Sequence, residues 1–123
     1  MWLKAMKRNL RLAVLRQRWL CFYCGLPMKV GGSPYEAGLR NAGLGFAVTA
    51  EHLLARCDGG NDDAGNIAAA YAVCNWRRHR CKTALTPEQF AARVQDRIAK
   101  GRWFAASELA VLRRALVPGN GER

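Results

Sequence analysis

Histidine is almost missing from this chain, with two residues in 123. Acid is scarce too. Nine Asp and Glu stand against twenty Lys and Arg, for a net charge of +11. That balance argues against a cationic partner and for an anionic one, nucleic acid first and a membrane surface second. No run is apolar for long enough to span a bilayer, so no membrane segment is expected. Leu12-Ala13-Val14-Leu15 is closed off by Arg11 and Arg16 and is too short for a signal-peptide core. Five cysteines are an odd number, and without a secretion signal they favour thiolate or metal chemistry in a reducing, cytoplasmic compartment over a disulfide framework. Repeats and low-complexity tracts are absent, and 123 residues read as one domain with a modest core that a metal would help to hold.

What is present gathers between Val48 and His79. Both histidines lie there, with four of the nine carboxylates, Glu51, Asp58, Asp62 and Asp63, inside thirteen positions. A small acidic island bearing histidines in a basic chain suits a divalent ion that faces a phosphate backbone. Phe46-Ala47-Val48-Thr49 reads as a short strand ending at Glu51-His52. Gly59-Gly60-Asn61-Asp62-Asp63 is a loop of turn formers, and the three aspartates are expected to shape it rather than to bind metal. Asn66-Ile67-Ala68-Ala69-Ala70 reads as a second strand, against the propensity of its alanines. From about Ala72 the pattern turns helical and carries Asn75 and His79.

Glu51-His52, Gly59-Gly60, Asn66-Ile67, Cys74-Asn75 and His79 stand in the order and at the intervals of a known motif. The stretch resembles the HNH nucleases of the ββα-metal superfamily, with His52, Asn66 and His79 as the three letters. The likeness covers roughly residues 21–103, from Cys21-Phe22-Tyr23-Cys24-Gly25, similar to the zinc knuckle that often precedes the core, to Gly101-Arg102-Trp103. Glu51 stands where the family more often has Asp. The resemblance implies His52 as general base, Glu51 and His79 as ligands of one catalytic divalent ion, and Asn66 as the residue that orients His52 or completes the site. A neutral imidazole near pH 7 suits a base. A hard ion such as Mg2+ prefers oxygen, whereas an added imidazole admits Mn2+, Ni2+ or Zn2+.

A structural zinc is implied as well, and here the sequence departs from the pattern. The family's second Cys-x-x-Cys is broken, since Tyr71 precedes Cys74 where a cysteine is expected. Closed zinc sites take four ligands. Cys81 is seven residues beyond Cys74, about 10 Å along a helix axis, too far to share an ion. Three outcomes stay open: Cys21, Cys24 and Cys74 joined by Cys57, three thiolates with an outside ligand, or no zinc. The plain alternative for Cys57 and Cys81 is a small buried apolar residue. Cys74 and His79 differ by about 140° around a helix, so one helix can serve two sites.

The flanks read as helices. Residues 1–20 form a basic helix, with Leu3, Met6, Leu10 and Val14 on one stripe and Lys4, Lys7, Arg8 and Arg11 on another. That basic face is either solvated or contacts phosphates. Arg77, Arg78 and Arg80 are candidates for the same contacts, which would hold a backbone without reading bases. Residues 29–45, with five glycines, read as a loop with one helical turn near Glu36–Arg40. Thr86-Pro87-Glu88-Gln89 is a helix start, Phe90, Val94 and Ile98 its stripe, and Gly101 its end. A last helix runs from Phe104 to Leu116, capped by Ser107, so helices occupy 86–116 and 117–123 form a disordered tail.

The expected fold is α+β: a ββα-metal core in residues 21–83, a short β-hairpin plus a helix, flanked by N- and C-terminal helices. The expected function is metal-dependent hydrolysis of DNA phosphodiesters with low sequence specificity, RNA staying open as substrate. The alternative is a non-catalytic nucleic-acid-binding module on a decayed HNH fold.

Overall fold

The computed structural model describes residues 2–28 and 48–110, which include all five cysteines and both histidines. It is a mixed α+β structure built from helix α1 (Trp2–Arg16), strands β1 (Val48–His52) and β2 (Ile67–Tyr71), and helices α2 (Ala72–His79) and α3 (Pro87–Ala99). Residues 106–110 are also helical. The expected loop at 29–45, the residues Val111, Leu112 and Leu116, and the tail at 117–123 lie outside the described residues.

The two strands pair antiparallel, with Val48 opposite Tyr71 and His52 opposite Ile67. All five residues of β2 are buried, which overrides the weak strand preference of its alanines. Small side chains let α1 lie close on this strand, where Ala13 and Val14 are buried. Tyr71 ends β2 and is also the N-cap of α2, so strand passes to helix with no loop between.

Helix α1 stops at Arg16, short of the expected residue 20. Arg18 and Trp19 take left-handed backbone angles, φ 56° and 64°. Their amides close the helix end by bonding back to Leu15 O and Val14 O, at 3.1 and 2.9 Å. The chain is thereby turned toward the Cys21–Cys24 knuckle.

At the start of α3 the capping box forms as read. Gln89 N donates to Thr86 Oγ1 at 3.1 Å, and Thr86 N donates to Gln89 Oε1 at 2.9 Å. The next helical stretch departs from expectation. It begins ahead of Ser107, and Glu108 Oε1 reaches back to accept from Ala105 N at 2.8 Å, so Ser107 is not its cap. An edge-to-face series of rings, Phe22, Tyr23, Phe90, Trp103 and Phe104, packs α3 against the knuckle.

Candidate functional site

Glu51 is the one buried carboxylate among the described residues, 2 % exposed. Burying a charge is costly unless it is paired, and three groups meet it. Tyr23 Oη donates to Oε2 at 2.6 Å, Arg78 Nη1 donates to the same oxygen at 2.7 Å, and His79 Nε2 lies 3.0 Å from Oε1. Register makes this meeting. Glu51 and Thr49 sit on the strand face toward α2, where Asn75 Nδ2 also bonds Thr49 Oγ1 at 3.3 Å. Burial, then the bond to Glu51, push the Tyr23 phenol far above its ordinary pKa, so it stays a donor.

His52 faces the other way. Its Nε2 lies 2.7 Å from Asp62 Oδ1, and Arg56 grips both oxygens of Asp62 at 2.8 and 2.9 Å. Arg56 Nε also approaches His52 Nε2, at 3.3 Å. One ring nitrogen cannot donate to the carboxylate and accept from the guanidinium at once. The shorter contact, to an anion, makes Nε2 the donor, so in the neutral ring the lone pair is on Nδ1. Asp62 was expected only to shape its loop. Instead it holds the imidazole, and its own carbonyl accepts from Asn9 Nδ2 of α1 at 2.7 Å.

Asn66 makes no hydrogen bond to His52 among the described residues. Its amide closes the loop between the strands: Oδ1 accepts from Leu54 N at 2.8 Å, and Nδ2 donates to Leu54 O at 3.0 Å and Asn61 O at 2.8 Å. Its part in the site is therefore indirect, through the loop that presents Asp62. Gly60 belongs to the same clasp, since a Cβ there would fall 1.7 Å from Leu54 O.

Cys21, Cys24 and Cys74 form a second centre, all buried, with sulfurs within 4.8 Å of one another. Such a cluster could hold a metal ion. Thiolates bonded to one tetrahedral zinc at about 2.3 Å stand about 3.8 Å apart, so little movement separates this cluster from a bound one. Gly25, at φ 75°, makes the knuckle turn, and Cys21 N donates to Leu26 O at 2.9 Å. Tyr71 supplies no ligand; its backbone N–H donates to Cys21 Sγ at 3.4 Å, while its hydroxyl donates to Pro27 O. Burial opposes ionisation of Cys21, but hydrogen bonds from Cys24, Cys74 and the Tyr71 amide outweigh it and hold its pKa well below an ordinary thiol. Cys24 and Cys74 are driven up, first by their hydrogen bonds to Cys21, so they keep their protons.

Cys57 is a correction. It is exposed, in a 3-10 turn at Arg56–Asp58, and stands apart from the cluster. Cys81, half-buried, is separate as well and accepts from Arg93 Nη1 at 3.8 Å.

Two of the candidate phosphate contacts are engaged within the fold. Arg77 donates to Trp103 O and to Glu108, and its guanidinium lies 5.0 Å over the Trp103 ring. Arg78, its side chain 12 % exposed, is committed to Glu51 and Leu85 O. Both hold the fold. Lys4, Lys7, Arg8, Arg11 and Arg80 are exposed and carry no ion pair among the described residues, and Trp76 is half exposed.

A cavity of about 450 Å³ opens beside His79, between the loop after β1 and residues 81–87. His79 lines it; His52, turned to Asp62, does not. Among the described residues no helix is long and apolar enough to cross a membrane. No protein-family model matches the chain, and neither a curated protein nor a solved structure matches it.

Proposed function

We propose that the chain is a metal-dependent endonuclease of the HNH type, cutting DNA phosphodiesters with a ββα-metal core. The observation that carries this reading is the pair Glu51 Oε1 and His79 Nε2, 3.0 Å apart, with His52 next in sequence and held by a carboxylate. Two ligands on adjacent corners of an octahedral ion, each bonded at about 2.1 Å, stand about 3.0 Å apart. One oxygen and one imidazole would hold Mg2+, Mn2+ or Ni2+ and leave room for water and phosphate, which suits a histidine half open to solvent. A bound divalent ion would offset the charge that develops on the phosphate and stabilise the leaving oxygen.

The protein's own part is orientation and proton transfer. Asp62 fixes the tautomer of His52, so Nδ1 can take a proton from water. Arg78 and Tyr23 hold Glu51 with Oε1 turned to His79. The exposed cations of α1 and Arg80 would attract the backbone without reading bases. The Cys21–Cys24–Cys74 cluster would carry a structural Zn2+ that ties the knuckle to the head of α2.

One observation favours the alternative, a nucleic-acid-binding module without catalysis. Arg78 neutralises Glu51 by itself, so the network closes without an ion. Supercoiled plasmid with Mg2+, Mn2+ or Ni2+, with EDTA, and beside His52→Ala separates the two. The endonuclease reading expects nicking that EDTA abolishes and that His52→Ala slows by about 10²- to 10⁴-fold. Binding without cleavage under every metal would leave the module reading.

A further inference from the structure

A cleft of about 330 Å³ lies between the C-terminal end of α2 and helix α3. Five cationic side chains line it, Arg77, Arg80, Lys82, Arg93 and Arg97, and among the described residues no carboxylate does. Arg77 is partly offset by Glu108. The other four carry no ion pair among the described residues, and Arg93 meets only the weak acceptor Cys81 Sγ. Arg93 and Arg97 are four apart on one helix face, an arrangement that repels within the folded chain. A recess lined by one sign of charge focuses its field outward and is relieved by a polyanion.

The position of the cleft says which polyanion. It shares Cys81 and Thr83 with the cavity beside His79, so the two recesses adjoin at residues 81–83. A single phosphate could neutralise one or two of these cations. A backbone with a charge at every nucleotide can follow the row from His79 across to α3. A flat lipid surface does not enter a recess.

We propose that this cleft holds the backbone phosphates of one nucleic-acid strand as it leaves the His79 site, with Arg80, Lys82, Arg93 and Arg97 as the contacts. The substrate class rests on the nuclease reading; the contacts do not depend on cleavage.

The test measures binding of the full chain to a labelled DNA duplex by fluorescence anisotropy in EDTA, over a series of salt concentrations. Arg93→Gln with Arg97→Gln is compared with the wild type and with Arg93→Lys with Arg97→Lys. Both sites are exposed, and thermal melting should be unchanged in either pair. The glutamine pair is expected to bind about tenfold more weakly at low salt, with the slope of log K against log salt shallower by about 1.8, while the lysine pair binds as the wild type does. Binding by the glutamine pair within about twofold of the wild type, or a lysine pair as weak as the glutamine pair, overturns the proposal, as does a wild type that binds no DNA. Weakened binding, with no nicking by the wild type in the plasmid assay under any metal, keeps the cleft and sinks the nuclease reading. Unchanged binding with nicking does the reverse.

Discussion

Arg78 Nη1 lies 2.7 Å from Glu51 Oε2, and the pair is almost sealed from water, with side chains 12 % and 2 % exposed. Removing one member leaves the other charged and buried, which costs about 3–5 kcal/mol. That is a large share of the stability of a domain. Glu51→Gln should therefore lower unfolding stability in urea by about 3 kcal/mol in EDTA. Glu51→Leu with Arg78→Met should recover most of that loss, because neither charge remains to be desolvated. A double variant as weak as Glu51→Gln would mean the cost lies in packing and in the Tyr23 hydroxyl left without its acceptor.

The thiol cluster makes a composition and a pH prediction. Purified under reducing conditions, the chain should carry about one zinc, lost in Cys24→Ser or Cys74→Ser and kept in Cys57→Ser and Cys81→Ser. Metal analysis of the four variants reads this directly. Cys21 has its pKa lowered and enters as a thiolate, whereas Cys24 and Cys74 have theirs raised and hold protons that zinc must displace. Zinc affinity should rise with pH, by about two logarithmic units per pH unit near neutrality, with about two protons released per ion. Competition against a chromophoric chelator at several pH values measures the slope. A slope near zero would mean the cluster is already ionised.

Asp62→Asn keeps the size of the side chain and removes its charge. It should slow nicking by about 10- to 100-fold, the usual effect of a group that acts through the residue it orients. The dependence of the rate on metal and pH should be compared with the wild type, since Asp62 sets which nitrogen of His52 is free. A uniformly lower rate with an unchanged profile would mean that Asp62 only supports its loop.

What could be read from the chain followed the range of the interaction. The capping box of α3 depends on Thr86, Pro87 and Gln89, neighbours in sequence, and it formed where it was read. The knuckle turn at Gly25 was equally local. The β2 alanines had to be read against propensity, because their burial under α1 comes from residues about fifty positions away. Tyr23, 28 positions from Glu51, is hidden as its partner for the same reason, while Asp62, only ten positions from His52, is hidden for another. The aspartate looked like one more turn former in a loop full of them. Arg77 packs against the body of the fold, one of its two readings, and Arg78 meets Glu51 27 positions away, because a charge in a sequence does not show whether a carboxylate waits for it in the fold. Cys57 is open as a fourth ligand by count alone, and only the fold shows that it lies on an exposed turn apart from the three buried thiols.

The outer edge of β2 is occupied from end to end. Arg16 Nη2 donates to Ile67 O at 2.9 Å, the Gln17 side-chain amide both accepts from Ala69 N and donates to Ala69 O, and Cys21 Sγ accepts from Tyr71 N. Arg16 at the end of α1, Gln17 just beyond it and Cys21 of the knuckle stand in for a third strand. A bare edge in a short apolar strand is a template on which another chain can add. The hairpin is therefore protected from intermolecular pairing by the same residues that anchor the helix and the cysteine turn. Losing the order of the knuckle, for instance by oxidation of its thiols, would uncover the Tyr71 end first and open a site where another chain can pair.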